Sequence, residues 1–380
     1  MKKNHFIFSI ITLVLLVVFI TSFNYFKTTN TYIDDSFNNQ TKITKGISMN
    51  LEQTAGAGDY KTVTRSSWPT EGYNFNAELS RCENGSTLSW DDTKKAVIVS
   101  GNLSDKCYVY FDLARFDETC DGSTLACRIA KQYTGTQGEN SLYYHDSTLT
   151  NGAGDNSYRY AGASNNVNNY ICLGSDATTC PDANLFRIIG VFGDQTKVIR
   201  AKSVGDKEWD TNDSNTWSTS SLNTYLNGEY LTSLGTLADK IATTTWKVGG
   251  GSTTYLYDVP KTAYQYEVGS SASTTTYDAK IGLMYVSDYG FAADQSGWTT
   301  KLSSYNSNKS KNWLNTGKYI EWTLSRNSDN TDNAFGVIST GYVDNYNVTK
   351  SYVVRPSFNL ESSVKYVSGS GSMSGPVRVN

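Results

Sequence analysis

Apolar and polar positions fall into three regimes along the chain, and the first is continuous. From Phe6 to Phe23 there are 18 residues without a charge, behind the short basic segment Met1-Lys2-Lys3-Asn4-His5. A bilayer-spanning helix needs about 20 apolar residues, and a positive flank stays on the cytoplasmic side. The pattern predicts a transmembrane helix within a membrane anchor over residues 1–26, single-pass, embedded in the lipid bilayer, with the C-terminal bulk extracellular. A cleaved signal peptide is the alternative. No Ala-x-Ala-like site follows in Phe19-Ile20-Thr21-Ser22-Phe23-Asn24, so a retained signal anchor is expected.

The second regime, residues 27–58, is polar and irregular, with Asn38-Asn39-Gln40 and Ala55-Gly56-Ala57-Gly58. It reads as a flexible stalk. The third is a succession of short apolar or alternating runs. In residues 59–115, Ala96-Val97-Ile98-Val99 and Tyr108-Val109-Tyr110-Phe111 flank the turn signal Ser100-Gly101-Asn102, which predicts a small β module, sandwich-like in form. In residues 116–380, Asn184–Phe192 and Lys197–Ala201 bracket Gly193-Asp194-Gln195 as a hairpin, and Phe335–Ile338 and Tyr342-Val343 bracket another. Leu222, Tyr225, Leu226 and Tyr230 recur at helical spacing within 217–234, with Ser218 or Thr219 as cap. A second short helix is expected over 237–245. Lys280–Val286 and Tyr352–Leu360 read as strands. The fold class is therefore α+β, β-dominated.

Composition changes this picture little. Charged residues are 18% of the chain against an ordinary ~25%, and 27 Tyr, 8 Trp and 14 Phe supply enough apolar area for a core. The net charge of −3 and the lack of a basic stripe exclude nucleic acid as a partner. All six cysteines, Cys82, Cys107, Cys120, Cys127, Cys172 and Cys180, follow the apolar leader. An even count in an exported chain points to disulfides. Six cysteines allow many connectivities, and their order suggests the local pairs 82–107, 120–127 and 172–180. A zinc site fits poorly, since no pair has Cys-x-x-Cys spacing and His145 is the only histidine beyond the leader.

Five stretches then carry a likeness. They are Trp217–Tyr230, Leu283-Met284-Tyr285-Val286-Ser287, Glu321-Trp322-Thr323-Leu324-Ser325-Arg326, Phe335-Gly336-Val337 and Val354-Arg355-Pro356-Ser357-Phe358-Asn359-Leu360. Their order, over residues 185–365, resembles that of uncharacterised secreted bacterial surface proteins, and is similar to the C-type-lectin-like fold in its formylglycine-generating-enzyme-type variant. The resemblance implies a distal domain, 116–380, presenting a loop surface for binding. It carries over no sugar site, since Glu-Pro-Asn, Gln-Pro-Asp and Trp-Asn-Asp do not occur, and no oxidase chemistry, since no cysteine follows Cys180.

Candidate chemistry is sparse. His145 stands in Tyr143-Tyr144-His145-Asp146-Ser147, but sequence neighbours cannot form a catalytic relay, so a structural or surface histidine is expected. Carboxylate pairs such as Asp91-Asp92 and Glu208/Asp210 leave a glycosidase open, because that chemistry depends on a separation in space. Asp329, Asp332 and Asn333 in an oxygen-rich loop form a candidate Ca²⁺ site, with Asp210–Asn215 similar; solvated Asx turns are the alternative. Gly249-Gly250-Gly251-Ser252 reads as a flexible loop. Trp298, Tyr305, Trp313 and Arg326 form the candidate ligand-binding patch, aromatic and Arg residues being the usual anchors of one. The sequence thus predicts a surface-anchored binding protein or adhesin for a glycan or protein ligand, not an enzyme. An exported carbohydrate-active hydrolase and a structural subunit of a surface assembly are the alternatives.

Overall fold

A computed structural model describes residues 46–63, 72–101, 105–317 and 319–380. The chain divides into two compact units, at Arg115/Phe116. It is β-rich, with 33% strand against 21% helix.

In the smaller unit, alternation in Cys107–Leu113 turns Cys107, Val109 and Phe111 to one face, where they are buried. This strand is central. It runs parallel to Ile47–Glu52 and antiparallel to Tyr73–Phe75 and Arg81–Cys82, and Tyr60–Val63 completes five strands beyond Ile47–Glu52. Thr87–Asp91 and Ala96–Ser100 form a separate two-stranded ribbon. The ribbon's Trp90 packs edge-on against Phe111, with ring centres 5.2 Å apart. Cys82 and Cys107, directly paired across the ladder, are bridged.

The larger unit has one open nine-stranded sheet. Along its path lie Ile281–Gly282, Ser357–Leu360, Gln195–Arg200, Leu185–Phe192, Tyr170–Cys172, Val377–Val379 and Tyr366–Ser368; Ser157–Tyr160 and Leu142–His145 branch from Leu185–Phe192. Leu185–Phe192 is buried for seven of its eight residues, the near-continuous apolar run of a strand covered on both faces. A five-stranded sheet carries Asp206–Glu208, Ser351–Val353, Glu321–Arg326, Asn333–Val337 and Val343–Asn347. Thr244–Lys247 and Thr276–Ala279 make a ribbon. The bridges Cys120–Cys127 and Cys172–Cys180 close short loops.

Several expectations are corrected. The leader at 1–26 lies outside the described residues, and among those residues no helix is long and apolar enough to cross a membrane. The expected transmembrane helix and single-pass membrane placement thus have no counterpart among the described residues. Part of the expected stalk is a strand, since Ile47–Glu52 buries Met49 and Leu51 against Val109 and Phe111. The small β sandwich is instead one mixed sheet with a ribbon, because Ala96–Ser100 pairs with Thr87–Asp91 rather than with Cys107–Leu113. The C-type-lectin-like architecture gives way to the two open sheets above, and among the described residues no sheet closes into a barrel. The helix expected over 217–234 starts later, at Ser221 after the cap Ser220, and loosens into a π turn at Leu226–Tyr230. Residues 235–240 form a 3₁₀ turn, and the chain then enters the strand Thr244–Lys247 rather than a second α-helix.

Candidate functional site

The expected aromatic patch is not a surface. Trp298, Tyr305 and Trp313 are at most 2% exposed. Each spends its polar atom inside the core: Trp298 donates to the Ala293 carbonyl (2.9 Å), Tyr305 to Gly290 (2.8 Å) and Trp313 to Tyr160 (2.8 Å). Arg326 is half-buried and donates to the Gly249 carbonyl at 3.0 Å and to Asn215 Oδ1 at 3.2 Å. Large aromatics beside polar loops are ambiguous in sequence, since a ring that seals a core needs the same neighbours. The Gly249–Gly251 segment is buried too. Gly250, at φ +61°, approaches the Arg326 carbonyl so closely that an added Cβ would lie 2.0 Å from its oxygen.

The two oxygen-rich loops do meet, through an asparagine. Asn215 Nδ2 donates to the carbonyls of Asn327 (2.9 Å), Asn330 (2.6 Å) and Asn333 (2.8 Å). Those oxygens are thereby taken by an amide. Asn327 Oδ1 accepts from the Asp329 amide and Asn330 Oδ1 from the Asp332 amide, which are Asx turns. Asn333 donates to Asn345 Oδ1. Among the described residues no group of three or more His, Cys, Asp or Glu could hold a metal. His145 is in the core. Its Nδ1 accepts from the Ala153 amide, and burial, with Arg159 adding to it, pushes its pKa down to about 3.

The chemistry gathers elsewhere, around a cavity of about 190 Å³. Several distant segments of the larger unit supply it. Arg159 comes from the strand Ser157–Tyr160, Lys197 from Gln195–Arg200 and Trp246 from Thr244–Lys247. The helix Pro260–Glu267 brings Tyr264, and Tyr285 and Asp288 begin the helix Val286–Phe291. Arg159 pairs with Asp155 at 2.6 Å and with Asp288 Oδ1 at 3.5 Å; Lys197 Nζ pairs with Asp288 Oδ2 at 2.5 Å. Burial works against the Arg159 guanidinium, but Asp155 and Asp288 outweigh it and hold its pKa above the ordinary value. Aromatic faces surround both cations. Arg159 lies 4.6 Å from the Phe192 ring centre and 5.4 Å from that of Tyr264, and Lys197 lies 4.6 Å from Tyr285.

Asn359, which also lines the cavity, donates from Nδ2 to Thr244 Oγ1 at 3.0 Å, and its buried Oδ1 has no hydrogen-bond partner. Behind the wall, Glu267 accepts from the Val286 and Ser287 amides, each at 2.9 Å, and from the Ser325 hydroxyl. Burial raises its pKa to about 7, against the pull of those amides and with Asp288 adding to the rise. Its oxygens serve the helix start, and Glu267 does not line the cavity. A larger cleft of about 670 Å³ is built from loops around 174–178 and the C-terminal strand. Arg378 there is consumed by the carbonyls of Ser175, Ala177 and Thr178.

None of the cavity residues was among the candidate site residues read from the sequence, although Tyr285, Ser287 and Asn359 stand in the stretches that carry the likeness. A signal existed for two: Arg159 in Ser157-Tyr158-Arg159-Tyr160 and Lys197 in Lys197-Val198-Ile199 are cations inside strand-like apolar runs, where a charge is costly unless paired. Their partners come from distant segments.

Residues 193–362 match a family described as a domain of unknown function, DUF6273. No curated protein and no solved structure is similar enough to match.

Proposed function

We propose that this is an extracellular binding protein whose larger unit holds a small polar ligand, one sugar ring of a glycan, in the cavity lined by Trp246, Tyr285, Arg159 and Asn359. Three disulfides suit an oxidising space. The cavity volume of about 190 Å³ is below the ~300–1,000 Å³ of drug-sized sites, which favours a single ring over a protein surface. Aromatic walls favour the apolar faces of a sugar. The carrying observation is Asn359 Oδ1, a buried acceptor without a donor. Turning the amide over would exchange which end meets Thr244 and still leave the other end open. An unsatisfied buried polar group costs about 1–3 kcal/mol, and a ligand hydroxyl that reached this oxygen from the cavity Asn359 lines would relieve it.

Calorimetric titration of the full chain with neutral mono- and oligosaccharides tests this. A saccharide is expected to bind, and Asn359→Ala or Thr244→Ala to weaken it by about 5- to 30-fold, the equivalent of one lost hydrogen bond with its desolvation. No saccharide binding, or binding indifferent to both substitutions, would overturn the reading.

A further inference from the structure

Lys197 and Asp288 are arranged for more than an ion pair. We propose that they condense to an intramolecular amide, a covalent bond between the strand Gln195–Arg200 and the start of the helix Val286–Phe291. Nζ stands 2.5 Å from Oδ2, and the two side chains are 6% and 2% exposed. The ammonium is boxed by Tyr285, Trp246 and Phe192, with ring centres at 4.6, 5.4 and 5.6 Å. Such surroundings keep away the water that would otherwise compete for both groups and hydrolyse the product. Held in contact, amine and acid react as one molecule rather than two, the largest entropic advantage open to a condensation.

The step balances without a co-reactant. The ammonium passes one proton to the carboxylate, giving an amine and a carboxylic acid. The nitrogen lone pair attacks Cγ, forming the C–N bond. Oδ2 then leaves as water, taking the acid proton and one amine proton. Oδ1 becomes the amide carbonyl oxygen. Arg159 Nη1 lies 3.5 Å from Oδ1, placed to stabilise the negative charge that develops there. Asp155 holds the same guanidinium at 2.6 Å, so Arg159 is the weaker partner of Asp288, and the Tyr285 amide also donates to Oδ2 at 2.9 Å.

This bond goes beyond the binding reading, and each has its own readout. The experiment is peptide mapping by mass spectrometry of the folded full chain, reduced, denatured and cut with trypsin. A branched peptide joining the Lys197 and Asp288 segments is expected, lighter by one water than the two linear sequences together, with no cleavage after Lys197. Lys197→Arg, which keeps a cation beside Asp288, is expected to give linear peptides only. Wild-type linear peptides at their full sequence mass, with cleavage after Lys197, would overturn the proposal. So would a branch mapped to any other pair.

Discussion

At the scale of single residues, the larger unit places titratable groups where burial, not solvent, sets their protonation. Glu267 shows this most clearly. Its folded pKa of about 7 stands above the ordinary 4.5 because burial disfavours the carboxylate. Between those two values the folded chain keeps a proton that the unfolded chain has released. Glu267 therefore contributes stability that is full below pH 4.5 and is lost as pH rises to about 7, on the order of 3 kcal/mol in all. His145 acts oppositely. Its pKa, depressed from 6.5 to about 3, makes the unfolded chain the stronger proton binder, so its contribution is lost as pH falls through that window. The difference between wild type and Glu267→Gln isolates the first effect. Urea denaturation from pH 4 to 8 should show a falling component in wild type that the variant lacks; parallel profiles would contradict it.

At the scale of elements, close approach decides more than propensity. Gly249-Gly250-Gly251 looks like a flexible linker because it has no side chains to pattern, yet it is buried, and Gly251 donates to the Arg326 carbonyl at 3.2 Å. Gly250→Ala combines a positive φ with a Cβ 2.0 Å from that carbonyl oxygen, so a loss of more than about 1 kcal/mol is expected in urea denaturation. An unchanged midpoint would mean the segment is free to move. What could be read in advance follows the same logic. The hairpin at Phe192–Gln195 and the one ending Val337–Val343 were legible because pairing there is local and the turns carry Gly. The parallel pairing of Ile47–Glu52 with Cys107–Leu113 was not, because about sixty residues separate the partners and no local signal records it. The cavity was hidden for the same reason: Arg159, Lys197, Trp246 and Asp288 are spread over some 130 positions. Tryptophans near polar loops invited a surface reading, while the buried cations in strand runs, the better clue, were passed over.

At the scale of the molecule, two units with separate cores imply two stabilities. Among the described residues, the smaller one buries only six apolar residues in its central cluster, against more than fifty in the larger. A core that small leans on its Cys82–Cys107 bridge. Replacing both cysteines with Ala is expected to cost that unit about 2–5 kcal/mol. Calorimetry should show its transition fall in temperature while that of the larger unit stays in place; a common shift of both would show that they unfold together.

The binding account centres on where a sugar meets the larger unit, and the eight tryptophans report on that directly. With indole nitrogens isotopically labelled and assigned by substitution, NMR titration with a binding saccharide should move the Trp246 signal, because that ring lines the cavity although its N–H is bonded to the Ala279 carbonyl at 3.0 Å, while Trp298 and Trp313, which do not line it, stay fixed. Movement at Trp298 or Trp313 with Trp246 unchanged would contradict the account.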